Sequence, residues 1–367
     1  FRADEKVGGL SAGKKQMIQI AKALYMNAKV ISFDEPTSSL SNAEVKTLFG
    51  IIRDLKKQGI TILYISHKMA EIRQISDDIT IMRDGTYVGT WAIEDISDEE
   101  IVKQMVGREL NNVYPPKEDY RTDETVLKVS HLTSILPNSF KDCSFELKRG
   151  EILGFGGLVG AQRTELMEAI FGMRHIESGT VEILGKEAHI KRPQDAINSS
   201  VGMITEDRRG NGIFGCLSIK DNVGVSIYNK YLNAGFVLNH KKINEIVTSS
   251  IKKLSIKTPS MKEHISNLSG GNQQKVIVAR WLANDPDVLI MDEPTRGIDV
   301  GAKHEIYEIM CDLAKQGKAI IMISSEMSEL LGMSDRICVM CNGKLTGEVK
   351  EPEDMTQAKI MEYATRF

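Results

Sequence analysis

Short apolar blocks recur along the chain. Val30-Ile31-Ser32-Phe33, Thr61–Ile65, Val288-Leu289-Ile290-Met291 and Ala319–Ile323 are brief and rich in branched residues. Blocks of this length predict strands buried on both faces of a parallel sheet. Between them the apolar spacing turns helical over Ala43–Gln58 and over Ala302–Gln316. Gly59 and Gly317 follow these two stretches and predict left-handed C-caps. Further helical patterns cover Lys15–Met26 and Gln273–Ala283, and an apolar strand, Glu151–Phe155, leads through a loop into a helix, Glu165–Phe171. Strand alternating with helix predicts α/β architecture.

The pattern occurs twice. Leu10-Ser11-Ala12-Gly13-Lys14-Lys15-Gln16 returns as Leu268-Ser269-Gly270-Gly271-Asn272-Gln273-Gln274, so Ser11 and Ser269 stand 258 residues apart. Asp34-Glu35-Pro36-Thr37 returns at the same offset as Asp292-Glu293-Pro294-Thr295, and Ile65-Ser66-His67-Lys68-Met69 as Ile323-Ser324-Ser325-Glu326-Met327. Asp84-Gly85 likewise meets Asn342-Gly343. A period this long suits two whole domains, not a solenoid. The second copy also carries a glycine-bearing loop, Gly157–Thr164, whose counterpart would fall before residue 1. The expected organisation is therefore the C-terminal half of one copy over residues 1–112, a linker over 113–124 marked by Pro115-Pro116, and a whole copy over 125–367. The chain opens on Phe1 rather than Met, which fits an N-terminally truncated first copy.

Composition narrows the classes. Of the 367 residues, 41% are hydrophobic and 26% charged, an ordinary globular balance. A net charge of −3 gives no electrostatic case for nucleic-acid binding. No apolar run approaches the ~18 residues that span a bilayer, and the N-terminus has no signal-peptide pattern. The cysteines, Cys143, Cys216, Cys311, Cys338 and Cys341, fit a reducing compartment. Cys338 and Cys341 form a C-x-x-C inside a strand-like run, where residues three apart point to opposite faces, so core packing is the expectation.

The chemistry-bearing residues lie at strand ends and helix starts. Each Asp-Glu pair follows a buried strand, where open α/β sheets place ligands. Asp34 or Asp292 there can hold the hydration shell of a phosphate-bound Mg²⁺, because magnesium wants hard oxygen ligands. Glu35 or Glu293 can orient or deprotonate a water. As a lone motif such a pair equally well caps the next element; its recurrence 23 residues beyond each Leu-Ser segment favours the chemical reading. Leu10, Ser11 and Gly13, and in the second copy Ser269, Gly270, Gly271 and Gln273, sit at a helix start, where free N–H groups and the dipole favour an anion. The bland alternative is an N-cap turn.

Gly157-Leu158-Val159-Gly160-Ala161-Gln162-Arg163-Thr164 lies between a strand and a helix, as a phosphate loop G-x-x-x-x-G-K-[ST] would. Gln162 stands for the second glycine and Arg163 for the lysine. A left-handed backbone at Gln162 would cost ~1–2 kcal/mol. Arg163 is a planar fork where a compact point charge belongs. Thr164 can still ligate magnesium. His67 could bond a γ-phosphate; its counterpart Ser325 has neither the reach nor the titrating ring.

These residues resemble the ABC ATPases. Leu-Ser-[Ala/Gly]-Gly resembles their signature, Asp-Glu-Pro-Thr their Walker B with its catalytic glutamate, and Ile65-Ser66-His67 their switch histidine. Gly157–Thr164 resembles a degenerate Walker A, and Ser38-Ser39-Leu40-Ser41 and Gly297-Ile298-Asp299 stand where D-loops belong. Pro294–Lys303, Thr205-Glu206-Asp207-Arg208-Arg209 and Ser324–Met327 resemble the second cassette of tandem monosaccharide importers of the ribose, galactose and xylose type. The resemblance implies a P-loop NTPase core with a parallel sheet and a helical subdomain, one copy partial and one complete. It implies ATP and Mg²⁺ as cofactors, with catalytic roles for Glu35, His67 and Glu293. Nucleotide contacts would come from Leu10, Ser11, Gly13, Asp34, Gly157, Gly160, Gln162, Arg163, Thr164, Glu206, Ser269, Gly270, Gly271, Gln273 and Asp292, and magnesium contacts from Asp34, Thr164 and Asp292.

In that family two cassettes close head to tail, each site taking its signature from the other cassette. The site of Asp34, Glu35 and His67 would then be the competent one, and the site of Gln162–Thr164, Asp292 and Glu293 slow or non-hydrolytic. Implied partners are integral membrane permease subunits and, indirectly, an extracytoplasmic sugar-binding protein, with the chain peripheral on the cytoplasmic face of the membrane and no nucleic acid bound. A purine nucleoside importer and a non-hydrolytic regulatory module are the alternatives. A translation-associated tandem ATPase fits less well, since the linker is short. Missing part of its sheet, the first copy is expected to expose apolar surface.

Overall fold

The structure is a computed structural model, and it describes residues 4–366 except 11, 27, 38, 39, 41, 67, 84, 107–113, 117 and 234–236. The chain divides into two compact units, Phe1–Asn111 with Asp299–Gly301, and Asn112–Ile298 with Ala302–Phe367. Residues 114–124, read from the sequence as linker, count with the second unit.

In the first unit helix α1 (Ala12–Tyr25) leads to strand β1 (Val30–Asp34), then α2 (Asn42–Lys57), β2 (Thr61–Ile65), α3 (Met69–Ile75), β3 (Asp78–Arg83), β4 (Thr86–Ala92) and α4 (Asp98–Val106). β1 and β2 pair in parallel, Val30 opposite Thr61 and Asp34 opposite Ile65. β3 and β4 form an antiparallel hairpin. Gly59 follows α2 with φ +79°, the left-handed C-cap the sequence predicts.

The second unit opens with β5 (Thr125–Ser134), β6 (Cys143–Lys148) and β7 (Ile152–Gly157), followed by α5 (Arg163–Ile170), β8 (Ile176–Ile183), β9 (Lys186–Glu187), α6 (Pro193–Asn198) and β10 (Val201–Ile204). A helical stretch follows: α7 (Ile219–Gly224), a small hairpin of β11 (Leu232–Asn233) and β12 (Val237–Leu238), α8 (His240–Lys253) and α9 (Gly270–Leu282). The unit ends with β13 (Val288–Asp292), α10 (Val300–Lys315), β14 (Ala319–Ile323), α11 (Met327–Met333), β15 (Arg336–Cys341), β16 (Lys344–Val349) and α12 (Gln357–Ala364). Its main sheet has the order β10-β13-β14-β7-β15-β16, parallel except for β16. An antiparallel sheet, β6-β5-β8-β9, packs beside it.

Elements repeat at the sequence offset. β1, α2, β2, α3 and β3 each have both bounds displaced by 258 from β13, α10, β14, α11 and β15, as Val30 to Val288 shows. Even the register shift between Ile81 and Met82 recurs between Val339 and Met340. The surroundings differ. β13 and β14 are buried throughout, as the sequence predicts. β1 alternates exposed and buried positions, and Val30, Leu63 and Ile65 are 56%, 56% and 54% exposed. Cys338 and Cys341 are both buried in β15, and burial pushes the Cys338 thiol up to about 12, the inert packing role expected of them.

Tyr114 is held tightly. Its ring lies 5.3 Å from that of Tyr307, and a Cβ at Gly332 would meet it at 2.4 Å. Among the described residues no helix is long and apolar enough to cross a membrane.

Candidate functional site

The second-unit site is built where β7, β13 and β14 end. Gly157 closes β7, and Gly160 (φ +84°) turns the chain toward α5. Gln162 then takes φ +71°, ψ +27°, the left-handed backbone that glycine adopts freely. The penalty foreseen from the sequence therefore applies, at ~1–2 kcal/mol. The Gln162 amide folds back and donates to Gly160 O at 3.2 Å.

Arg163, the first residue of α5, is turned inward. Its Nη1 donates to the Ser324 carbonyl at 2.9 Å, and burial lowers its pKa, opposed by the charges of Glu293 and Asp292. Thr164 Oγ1 donates to Asp292 Oδ2 at 2.7 Å. Asp292 is 1% exposed, and its other oxygen, Oδ1, has no partner. Burial pushes this carboxyl up to about 7, against the pull of the Thr164 bond. Glu293 accepts from Ser325 Oγ at 3.1 Å and is also pushed up to about 7 by burial, with Arg163 acting the other way. Its backbone is left-handed at φ +48°, and its N–H donates to Ile323 O at 2.9 Å.

Asp34 and Glu35 repeat part of this at the end of β1. Glu35 has φ +43° and donates its N–H to Ile65 O at 2.9 Å. Positive φ at a non-glycine residue is uncommon, and its recurrence at both glutamates marks a constrained strand end. Asp34 is exposed and Glu35 half-buried. His67 and Ser11 lie outside the described residues, as do Ser38, Ser39, Ser41 and Asp84. Leu10 is buried and Gly13 falls in the first turn of α1.

Ser269 is the N-cap of α9, with Gly270 and Gly271 as the first two helical residues. The helix thus begins three residues before the expected Gln273, and the Leu-Ser-Gly-Gly segment itself forms the turn. Ser269 Oγ accepts from Asn272 Nδ2 at 3.0 Å. Gln273 is turned inward, its amide donating to the Ile265 and Leu268 carbonyls at 3.2 and 3.1 Å, and so braces the turn. A Cβ on Gly271 would lie 2.4 Å from Ala302 Cβ, so close packing of α9 on α10 demands this glycine. Glu206 is paired with Arg296, while Arg208 donates to Arg296 O at 3.4 Å and Gly297 O at 3.2 Å. These bonds fasten the segment after β10 to the turn after β13.

Sequence reasoning missed the Ser324 carbonyl, which as backbone leaves no side-chain signal. It also missed Glu329 and Glu71, although their recurrence at the common offset was readable. The oxygens of Thr164 and Asp292, one of them buried without a partner, suit a hard divalent cation. Among the described residues no group of three or more His, Cys, Asp or Glu side chains is gathered as a metal site. Such an ion would complete its shell with phosphate or water, as magnesium does.

Comparison with known proteins identifies the family. The profile of the family described as ABC transporter matches residues 1–38 and 140–296. A galactose/methyl galactoside import ATP-binding protein of Clostridium tetani is 56% identical over 98% of this chain and 71% of its own length. One from Fusobacterium nucleatum is 50% identical, over 99% and 72% respectively. A putative ribose/galactose/methyl galactoside import ATP-binding protein of Halalkalibacterium halodurans is 48% identical, over 98% and 68%. An ATP-binding cassette of an ABC transporter superposes with TM-score 0.57 at 18% identity, covering 65% of this chain and 98% of that one. A dimeric cassette bound to ADP and Pi gives 0.53 at 19%, covering 61% and 98%. With the family profile matched on both sides of residue 139 and such relatives along nearly its whole length, the chain belongs to the ABC transporter family of ATP-binding proteins.

Proposed function

We propose that this chain is the ATP-hydrolysing component of a bacterial importer of galactose-type monosaccharides. The observation that carries the reading is the meeting of the Gly157–Thr164 loop with the Asp292–Glu293 strand end. The sugar class comes from the names of the relatives. Residues 1–112 act as the C-terminal half of a first cassette and 125–367 as a second one. Membrane permease subunits and an extracytoplasmic sugar-binding protein are the partners, with the chain peripheral on the cytoplasmic face.

In the second unit, Thr164 and Asp292 would hold Mg²⁺, and Glu293 would orient a water. The ion, when bound, supplies positive charge to the phosphate oxygens. Loop N–H groups and the start of α5 receive the phosphates. Arg163 is engaged by the Ser324 carbonyl, and Ser325 holds the position that corresponds in sequence to His67. These two features favour slow or absent hydrolysis at the second site, with Glu35 and His67 serving the faster one.

Mg²⁺-dependent ATP turnover tests the reading, measured on the 367-residue chain and on a version carrying the relatives' N-terminal segment. Turnover by the longer chain alone, stopped by Glu35→Gln, supports the assignment. Turnover by the shorter chain, stopped by Glu293→Gln, would make the second site the working one.

A further inference from the structure

Behind the strand-end carboxylates lies a buried acid with no role so far. Glu329 of α11 is 1% exposed. Its Oε1 accepts from Thr295 Oγ1 at 2.7 Å, and its Oε2 has no partner. Tyr307 of α10 is buried beside it, and burial, then the Glu329 charge, pushes that phenol up. Thr295 stands three residues past Asp292. Glu329 stands in the helix after the Ser324–Glu326 turn, which closes through the Glu326 N–H donating to Ser324 Oγ at 3.0 Å. One carboxyl therefore ties the segment after β13 to the segment after β14.

The first unit holds a similar threonine–carboxylate pair, there partly buried and joined by Lys68, whose Nζ lies 3.2 Å from Glu71 Oε1. Glu71 of α3 accepts from Thr37 Oγ1 at 2.8 and 2.9 Å, from the Tyr64 hydroxyl at 2.9 Å and from Ser66 Oγ at 3.4 Å. Thr37 and Glu71 lie at the common offset from Thr295 and Glu329. The phenol does not. Tyr64 is on β2, where the second unit has Met322, and Tyr307 is on α10, where the first unit has Phe49. An aromatic residue thus lies by the carboxyl, on the strand in one unit and on the helix in the other. A buried carboxyl such as Glu329 is unfavourable unless it is bonded, and the partly buried Glu71 keeps the same threonine bond.

We infer that Glu329, like Glu71 in the first unit, is a positioning residue: through its threonine it fixes how the Asp-Glu pair faces the turn after the neighbouring strand. The inference rests on reading Asp292 and Glu293 as the nucleotide site. Glu329 touches neither nucleotide nor ion in this scheme.

Amide hydrogen exchange of residues 292–297 and 323–327 in the purified 367-residue chain tests it. Thr295→Val keeps the volume and removes the hydroxyl. It should speed exchange at 323–327 by about tenfold, the effect of one lost bond to a carboxyl, while β10 and α8 keep their rates. Glu329→Gln still accepts from Thr295 and should change little. Unchanged exchange at 323–327 in Thr295→Val, or an equal rise across the whole unit, overturns the inference.

ATP affinity is then compared with Mg²⁺ and with a chelator. Thr295→Val should weaken the Mg²⁺-dependent part about tenfold and leave metal-free binding alone. A parent chain that binds no Mg·ATP refutes the site reading, while the exchange result still decides the positioning role.

Discussion

Val30 and Val288 occupy the same position in two copies of one pattern, yet one is 56% exposed and the other fully buried. Ile65 and Ile323 differ in the same way, at 54% and 1%. Both pairs of strands form with the same bounds and the same parallel register. Local sequence is thus enough to make the strand, while burial depends on what lies alongside. β14 has β7 on its other edge and β13 has β10, and two hydrophobic clusters enclose the sheet. β1 and β2 rest on a smaller cluster around Leu48, Phe49 and Ile52.

The sharpest way to break this contrast is to shorten the paired isoleucines. Ile323→Ala should lower the stability of the second unit by about 3 kcal/mol, the loss expected for a buried aliphatic chain. Ile65→Ala should change the first by under about 0.5 kcal/mol. The two tryptophans, Trp91 and Trp281, fall one in each unit, so urea unfolding can be followed for each by its own fluorescence. Equal losses would mean the two sheets are covered alike in solution.

Next in size is a pair of cations. Arg280 is buried, donating to Asn222 O at 2.6 Å, Gly212 O at 2.7 Å and Asn222 Oδ1 at 2.9 Å, and burial alone pulls its pKa down to about 10. Arg280→Leu should cost about 2 kcal/mol by orphaning these oxygens. Lys22 holds the matching position in α1 and is exposed, so Lys22→Leu should stay within about 0.5 kcal/mol in the same assay.

A smaller effect follows from acidity. Asp292 and Glu293 have pKa values near 7 folded, against 3.8 and 4.5 for the free groups. The folded state keeps these protons longer, so their contribution is fully present below about 4 and is lost as pH rises through about 7. Melting temperature of the second unit should fall over that window, and Asp292→Asn should flatten the slope. The smallest change is Gln162→Gly, which relieves left-handed strain but adds unfolded-state freedom, for a net gain of about 0.5–1 kcal/mol in thermal melting.

The duplicated pattern made much of the fold legible. Its strands lie within two residues of their expected ends, and both glycine caps stand where the spacing puts them. The left-handed turn at Gln162 was readable because glycine is the residue such loops use. Other features depend on partners far along the chain. Nothing near Arg163 announces the Ser324 carbonyl, 161 residues away, that receives it. The exposure of β1 was expected from the missing part of its sheet and not from its own residues, since Val-Ile-Ser-Phe reads as a buried strand wherever it occurs. Gln273 looked like a ligand contact because it sits in the signature, and its inward bonds to Ile265 and Leu268 appear only once the turn is built.

Tyr114, seated on Gly332 and against Tyr307, closes the N-terminal end of the second unit's packing. A protease cut just before residue 114 would leave the second unit its aromatic strap. A cut after Tyr120 would strip the strap away, baring the helix that carries Glu329. Any side chain at position 332 would do the same without cleavage, since a Cβ there meets the tyrosine ring at 2.4 Å. Tyr114 is thus a seal on the unit it belongs to.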